Sequence, residues 1–321
     1  MSTPVLEVRN LHVHYFTDRV LPAVNGVDFT LRAGERMGLV GESGSGKSTM
    51  ALALMRMIKP PGRIVSGEML VDGVDLTRLN EEQMRKARAT QISMIPQGAM
   101  NSLNPVMRIG DQIVDTIQAH SRDRSSDALE KRVYEALESV GLKRGVARMY
   151  PHELSGGMKQ RVCIAIAVAL RPKVIIADEP TSALDVVVQR QVMETIGRLQ
   201  EEMGLAIILI GHDMGLMAQF VDHLAVMYSG KLAELSPVRQ IFDAPLHPYT
   251  QLLIDSLPRL EQKGTFKGIP GLPPSLTAVP PGCVFNPRCP YVMDRCRTVI
   301  PEYREAREDR WVACHLHEVE Q

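Results

Sequence analysis

Gly41-Glu42-Ser43-Gly44-Ser45-Gly46-Lys47-Ser48-Thr49 decides the reading of this chain. The apolar run Met37-Gly38-Leu39-Val40 before it reads as a buried strand, and the segment Met50 to Met57 after it is apolar and helix-favouring. Strand, glycine-rich loop and helix in that order, with GxxxxGK[ST] spacing, are what a phosphate-binding P-loop requires. Glycines let the backbone turn its N–H groups inward around a phosphate chain, and the helix N-terminus adds partial positive charge there. Lys47 is expected to reach the β- and γ-phosphates. The Ser48 hydroxyl is expected to help hold Mg²⁺, and Ser43, Gly44, Ser45, Gly46 and Thr49 complete the cradle.

The chain has 321 residues, room for two domains. It carries 37 basic and 37 acidic residues, so no global field draws it to nucleic acid. Only six Phe and one Trp are available for stacking on bases. The longest purely apolar run, Val162 to Leu170, is about half of what spans a bilayer. The N-terminus lacks the charged and apolar regions of a secretion signal. A cytosolic protein is therefore expected, one that works at a membrane only by docking to other subunits.

Val5 to Val13, Gly26 to Leu31 and Gly67 to Gly73 read as strands of an antiparallel patch beside the P-loop, with Asp72-Gly73 as a hairpin turn. Ile92 to Pro96 is a short apolar strand that delivers Gln97 at its end. From Val106 to Ala147 the pattern is helical: Ile109, Ile113 and Ile117 recur at four-residue spacing, and Val133, Leu137 and Val140 at four and three. Polar Ser121 to Ser126 separates these helices. Leu154 to Arg161 opens an apolar helix that stops before Pro172, and Asp185 to Met203 is another helix. Val174 to Ala177 is an apolar strand ending in Asp178-Glu179, and Ala206 to Ile210 is a second buried strand, ending at Gly211-His212-Asp213. Leu224 to Met227 and Lys231 to Leu235, joined by Tyr228-Ser229-Gly230, are expected to finish the sheet. Buried strands alternating with helices argue for an α/β fold with a mostly parallel sheet and an inserted helical subdomain.

An apolar strand ending in two acids suits nucleotide hydrolysis. One carboxylate fixes the metal shell and the other orients or deprotonates the attacking water. At this point the chain resembles the ATP-binding cassette (ABC) family of transporter ATPases, from about Leu6 to Pro258. Leu154 to Gln160 matches the LSGGxxQ signature, Asp178-Glu179 the Walker B element and Ser182-Ala183-Leu184-Asp185 the D-loop. Gln97 matches the Q-loop glutamine, His212 the switch histidine, and Tyr15 is the candidate aromatic for stacking on adenine. The resemblance implies a P-loop NTPase core spanning residues 1–258, with the helical subdomain at about 98–165. It also implies that ATP lies on the P-loop of one subunit and is closed over by Ser155-Gly156-Gly157 of a second. Glu179 is then the general base, His212 a γ-phosphate contact, Asp178 a residue of the Mg²⁺ shell, and Gln97 a sensor of metal or water coupled to membrane subunits.

Tyr150 to Met158, Asn101 to Pro105, His247-Pro248-Tyr249-Thr250 and the tail from Pro280 through Cys314 resemble the dipeptide/oligopeptide importer subfamily. One departure follows Gln97. The family usually carries an acid and a proline there, whereas this chain has Gly98-Ala99. The subfamily implies two transmembrane permease subunits, a second ATPase (a paralogue, giving a heterodimer) and an extracytoplasmic binding protein. It also implies a peripheral location on the cytoplasmic face of the inner membrane. Relatives carry dipeptides, longer peptides, nickel, opines or oligosaccharides. A soluble ABC ATPase acting on DNA or ribosomes is the rival from another class; the single cassette and the absence of basic patches argue against it. A GTP-binding switch would need an Asn-Lys-x-Asp motif, which the chain lacks.

In Gly264 to Gly282, nine of nineteen residues are Gly or Pro, which excludes a regular helix or central strand. This stretch reads as an extended connection to a small module, residues 259–321, that holds four of the five cysteines. Cys283, Cys289, Cys296 and Cys314 are separated by five, six and seventeen residues. Disulfides do not suit a reducing cytosol, and structural zinc usually shows a shorter Cys pair. An iron–sulfur cluster takes four thiolates at varied spacing. The subfamily resemblance implies a [4Fe–4S] centre here. Zn²⁺, with His315 and His317 as spare ligands, is the alternative, and free thiols packing a small core are a third reading.

Overall fold

A computed structural model of the chain describes residues 3–98, 101–120, 125–182, 184–257 and 268–318. Several expectations fall outside these residues: the domain boundary at 258/259, residues 264–267 of the connection, Ala183 of the D-loop, Ala99 after Gln97, and residues 121–124 of the polar spacer.

In chain order the elements begin with β1 (Pro4–Phe16), β2 (Val20–Arg32), β3 (Arg36–Val40), α1 (Lys47–Leu54), β4 (Gly62–Val71), β5 (Val74–Asp75), α2 (Glu81–Ala87) and β6 (Ile92–Ile95). There follow α3 (Ile109–Gln118), α4 (Ser126–Ser139), α5 (Gly156–Val168), β7 (Val174–Asp178), α6 (Val186–Met203), β8 (Ala206–Ile210) and α7 (Met214–Phe220). The chain continues through β9 (His223–Tyr228), β10 (Lys231–Pro237), α8 (Val238–Asp243), α9 (Pro248–Asp255), α10 (Asp294–Thr298), β11 (Arg304–Arg307) and β12 (Arg310–Val312). A four-stranded sheet runs β2-β1-β4-β5. Its β4–β5 hairpin turns at Asp72 and Gly73, both with positive φ, as a tight hairpin of this hand demands.

The chain forms two compact units. One comprises Met1–Glu7, Thr30–Glu35 and Met69–Leu209. Here β8, β7 and β6 lie side by side, with β6 and β7 parallel in the register Ile92↔Val174 to Ile95↔Ala177. Every residue of β7 and β8 is buried, which explains why neither strand alternates in polarity. The four-residue spacing of Ile109, Ile113 and Ile117 puts all three on the buried face of α3. That helix packs against α4, α5 and a 3₁₀ turn at Arg144–Arg148.

The other unit comprises Val8–Phe29, Arg36–Glu68 and Ile210–Gln321. In it β3 and β9 are parallel, and the sheet then turns antiparallel through β10, β12 and β11. This corrects two expectations. The sheet is mixed rather than mostly parallel in this unit, because the short turn at Ser229-Gly230 forces β10 back along β9. Nor does the sheet finish at Leu235: β12, from the cysteine-bearing tail, pairs with β10 at Glu234↔Val312 and Leu235↔Trp311. The helix expected at Met50 to Met57 starts earlier, at Lys47, and stops at Leu54. Gly46 in a left-handed conformation starts it, and Arg56, with φ of +48°, ends it.

Candidate active site

The P-loop joins β3 to α1, and two of its glycines are sterically obligatory. A Cβ on Gly41 would lie 2.2 Å from the Met227 carbonyl oxygen, and one on Gly46 2.2 Å from that of Ala23. Both also have φ values, +147° and +107°, that favour glycine. Ser45 is buried and its carbonyl accepts from the Gly230 N–H, while Ser43, Gly44 and Ser48 are exposed. The Lys47 ammonium donates to the carbonyls of Gly41 (2.7 Å) and Glu42 (3.0 Å). An ammonium poised over a glycine cradle, at the first turn of a helix with no acidic residue in it, fits a polyphosphate. Thr49 lies in that turn, half-buried. Tyr15, near the end of β1, has its ring against Gly62, where a Cβ would come within 2.6 Å of it. His212 is exposed, between β8 and α7, and its neighbour Asp213 caps α7 by accepting from the Leu216 N–H.

In the other unit, Asp178 ends β7 and is 5% exposed. Glu179 follows with φ of +46°, which breaks the strand's alternation. Its carboxylate accepts from the Gln97 side-chain amide at 2.8 Å. The structure thus joins the expected general base to the expected Q-loop residue, although 82 positions separate them. The signature opens α5: Ser155 is the N-cap, its Oγ accepting from the Met158 N–H at 3.3 Å. Ser155 and Gly156 are exposed, whereas Gly157 is buried against Val188, leaving no room for a Cβ. In the first turn of α5 the Met158 N–H is thus taken by the cap, and Gly156 is the exposed residue at the helix start. Asp185 of the D-loop caps α6 by accepting from the Val188 N–H.

The C-terminal part of the unit that holds the P-loop contributes contacts to the P-loop that no local sequence pattern specifies. Tyr249 is fully buried, and its hydroxyl accepts from the backbone N–H of Glu42 in the P-loop. Burial pushes that phenol up, so it stays protonated. Tyr228, Tyr249 and Phe285 form an aromatic cluster. His247 starts α9, its Nδ1 accepting from the Tyr249 N–H, and Pro248 occupies the first turn, where a missing N–H costs nothing. The motif His247-Pro248-Tyr249 is thus a helix start that aims Tyr249 at the P-loop.

Cys283, Cys289, Cys296 and Cys314 line one pocket, together with His315 and Phe285. Gly282 is obligatory beside it: its φ is +72°, and a Cβ would lie 2.5 Å from the Cys296 carbonyl oxygen. Burial raises the thiols of Cys283 to about 11 and Cys314 to about 12, and also raises Cys289. Among the described residues, no group of three or more His, Cys, Asp or Glu side chains stands close enough to hold a single metal ion. Cys163 is buried in α5, and burial pushes its thiol up to about 11.

The model of the ABC transporter family matches residues 24–182, and that of the oligopeptide/dipeptide transporter C-terminal region matches residues 233–296. The chain is 46% identical to the oligopeptide transport ATP-binding protein OppD of Salmonella typhimurium, over 92% of this chain and 89% of that protein. The chain belongs to the ABC transporter family, among ATP-binding subunits of the oligopeptide/dipeptide type. It is also 43% identical to AppD of Bacillus subtilis, over 100% of this chain and 98% of the relative. The dipeptide transport ATP-binding protein DppD of Escherichia coli is 42% identical, over 97% and 96%. Among solved structures, the dimeric post-hydrolysis state of the ATP-binding cassette MJ0796, bound to ADP and Pi, superposes with a TM-score of 0.65. That match has 28% sequence identity and covers 73% of this chain and 99% of that one. Family membership makes this chain an ABC-type ATPase.

Proposed function

We propose that this chain hydrolyses ATP to drive the import of di- and oligopeptides through a membrane transporter. The observation that carries the reading is the Gln97–Glu179 hydrogen bond, in a chain whose relatives are peptide-transport ATP-binding proteins. The P-loop of one subunit holds the triphosphate, with Lys47 on its β- and γ-phosphates and Tyr15 against the adenine. The start of α5, Ser155-Gly156-Gly157, whose first two residues are exposed, covers the γ-phosphate from a second ATPase subunit. Glu179 takes the proton of the attacking water, Gln97 orients that water, and His212 supports the γ-phosphate. Ser48, Gln97 and Asp178 would hold Mg²⁺, which when bound neutralises charge on the phosphates.

The partners are a second, paralogous ATPase, two permease subunits and an extracytoplasmic binding protein. Among the described residues no helix is long and apolar enough to cross a membrane, so attachment to the cytoplasmic face would run through the permeases. ATPase assays on the subunits co-expressed with their permeases and binding protein test this. Stimulation by a peptide-loaded binding protein is expected; stimulation by nickel or sugar ligands alone would reassign the cargo.

The four thiols would hold a [4Fe–4S] cluster, which when bound supplies a rigid crosslink for a tail with little apolar core. All four line one pocket, and among the described residues no three His, Cys, Asp or Glu side chains are placed to hold a single metal ion. Iron and sulfide assay after anaerobic purification decides between a cluster, zinc and free thiols.

A further inference from the structure

Arg288 lies in a 3₁₀ turn, Asn286–Arg288, between Cys283 and Cys289, and its side chain is 4% exposed. All five of its N–H groups have acceptors. Nη1 donates to Glu42 Oε2 (2.6 Å) and to the Tyr228 hydroxyl (3.2 Å), and Nη2 to Glu42 Oε1 (3.0 Å) and the Ile269 carbonyl (3.4 Å). Nε donates to the Pro270 carbonyl at 2.8 Å. Both oxygens of Glu42 are gripped by one rigid fork, a geometry that Lys cannot reproduce.

Glu42 is the second residue of the P-loop, a position the phosphate-binding motif leaves open. It is nonetheless fixed at three points. Its carboxylate is held by Arg288, its N–H by the Tyr249 hydroxyl, and its carbonyl receives the Lys47 ammonium. The first of these comes from a segment 246 residues away.

We propose that Arg288 is a positioning residue of the nucleotide site, fixing the entry of the P-loop through Glu42 so that the cysteine-bearing tail sets the affinity for ATP. The proposal rests on the P-loop being the ATP site. The physical basis is preorganisation. A loop already held in its binding conformation loses less freedom when ATP arrives, and a loop freed at Glu42 loses more. The Glu42 peptide also carries one of the two carbonyls that place the Lys47 ammonium, so its orientation bears on the charge nearest the phosphates. The turn that carries Arg288 is also tied to the cysteine segment: the Asn286 side-chain amide donates to the carbonyls of Cys283 (2.8 Å) and Pro281 (3.2 Å).

The test measures binding of a fluorescent ATP analogue to the full chain, and ATPase kinetics with its partner subunits. The variants are Arg288→Gln, Glu42→Gln, the double variant and Lys47→Ala. Each of the first two is expected to raise Kd and the KM for ATP about tenfold, about 1.4 kcal/mol, with kcat at saturating ATP changing less than about threefold. The double variant is expected to be no worse than either single, because both remove one interaction. Arg288→Gln acting only on tail stability would lower the melting temperature and leave KM in place, which overturns the proposal. So does a double-variant loss equal to the sum of the singles. If Arg288→Gln does not fold, Glu42→Gln, which leaves the tail's sequence intact, must still weaken ATP binding, and wild-type affinity there overturns the proposal. Wild-type affinity in Lys47→Ala would instead sink the underlying assignment of the P-loop, and this proposal with it.

Discussion

Glu179 sits where the chain leaves β7, in a left-handed conformation that a non-glycine residue adopts at an energetic cost of about 1–3 kcal/mol. That conformation is held in place: the Glu179 carbonyl accepts from the N–H and the hydroxyl of Ser182, and its carboxylate meets Gln97. A conformation this costly and this well secured suits the base role proposed for Glu179. Glu179→Gln keeps the shape and removes the proton acceptor, so turnover is expected to fall about 100-fold or more while ATP binding persists. Single-turnover hydrolysis beside equilibrium ATP binding checks this, and hydrolysis near the wild-type rate would remove Glu179 as the base. His247 carries a second residue-scale expectation. Burial, then the charge of His317, lowers its pKa to about 3 from 6.5, and its Nδ1 must stay unprotonated to accept from the Tyr249 N–H. Between pH 6.5 and 3 the unfolded chain therefore binds a proton that the folded chain does not. Stability from this residue is complete above about pH 6.5 and falls as pH drops through that window, by at most about 1.4 kcal/mol per unit. His247→Asn keeps a capping acceptor and cannot titrate. Urea melts at pH 7, 6 and 5 are expected to show a shallower slope for it than for wild type.

At the scale of elements, each loop that carries chemistry is shaped by residues that fit nowhere else. Gly46 starts α1 at φ +107° with the Ala23 carbonyl 2.2 Å from where a Cβ would stand. Gly46→Ala must push the loop off β2, and ATP affinity is expected to fall more than about tenfold, measured with a fluorescent analogue. Ser155 caps α5, so Ser155→Ala is expected to cost about 1 kcal/mol of stability in a urea melt. If Ser155 also meets the γ-phosphate in a second subunit, that variant loses far more activity than its stability explains. The sequence revealed these elements because each has a local signature: glycines at fixed offsets, a cap before an apolar run, an all-apolar strand ending in acids. It was less informative where the deciding contact is not local. The apolar pattern points to a helix from Met50, whereas α1 begins at Lys47, because the left-handed Gly46 starts the helix inside the loop motif. The contacts of Glu42 with Tyr249 and Arg288 join residues 207 and 246 positions apart, and no spacing rule reaches across that distance.

At the scale of the molecule, the tail reads in sequence as an appended module, yet the segment from Ile210 to Gln321 falls in one compact unit. Strand pairing of β12 with β10 ties the tail in, and a buried charge pair adds to it. Glu234 in β10 is fully buried and accepts from the N–H groups of Leu246 and His247, but these are neutral donors. The cation beside it is Arg310 of β12, itself 4% exposed, with Nη2 3.4 Å from the carboxylate and also donating to the Ala244 carbonyl at 2.6 Å. Glu234 sits between apolar Ala233 and Leu235 in β10, and nothing in that local sequence shows what neutralises it. A buried pair of this kind adds little over an apolar replacement, but breaking it strands a charge at a cost of about 3–5 kcal/mol. Arg310→Met is therefore expected to destabilise the protein by about that amount in denaturant melts. Adding Glu234→Gln to Arg310→Met removes the stranded charge while keeping hydrogen-bonding capacity, and should recover more than half of the loss. A chain ended before β12 suffers the same penalty together with the lost pairing at Glu234↔Val312 and Leu235↔Trp311, so it is expected to be recovered mainly as aggregate. A soluble truncated chain with the melting behaviour and ATP affinity of the full protein would show that the cassette folds independently of its tail.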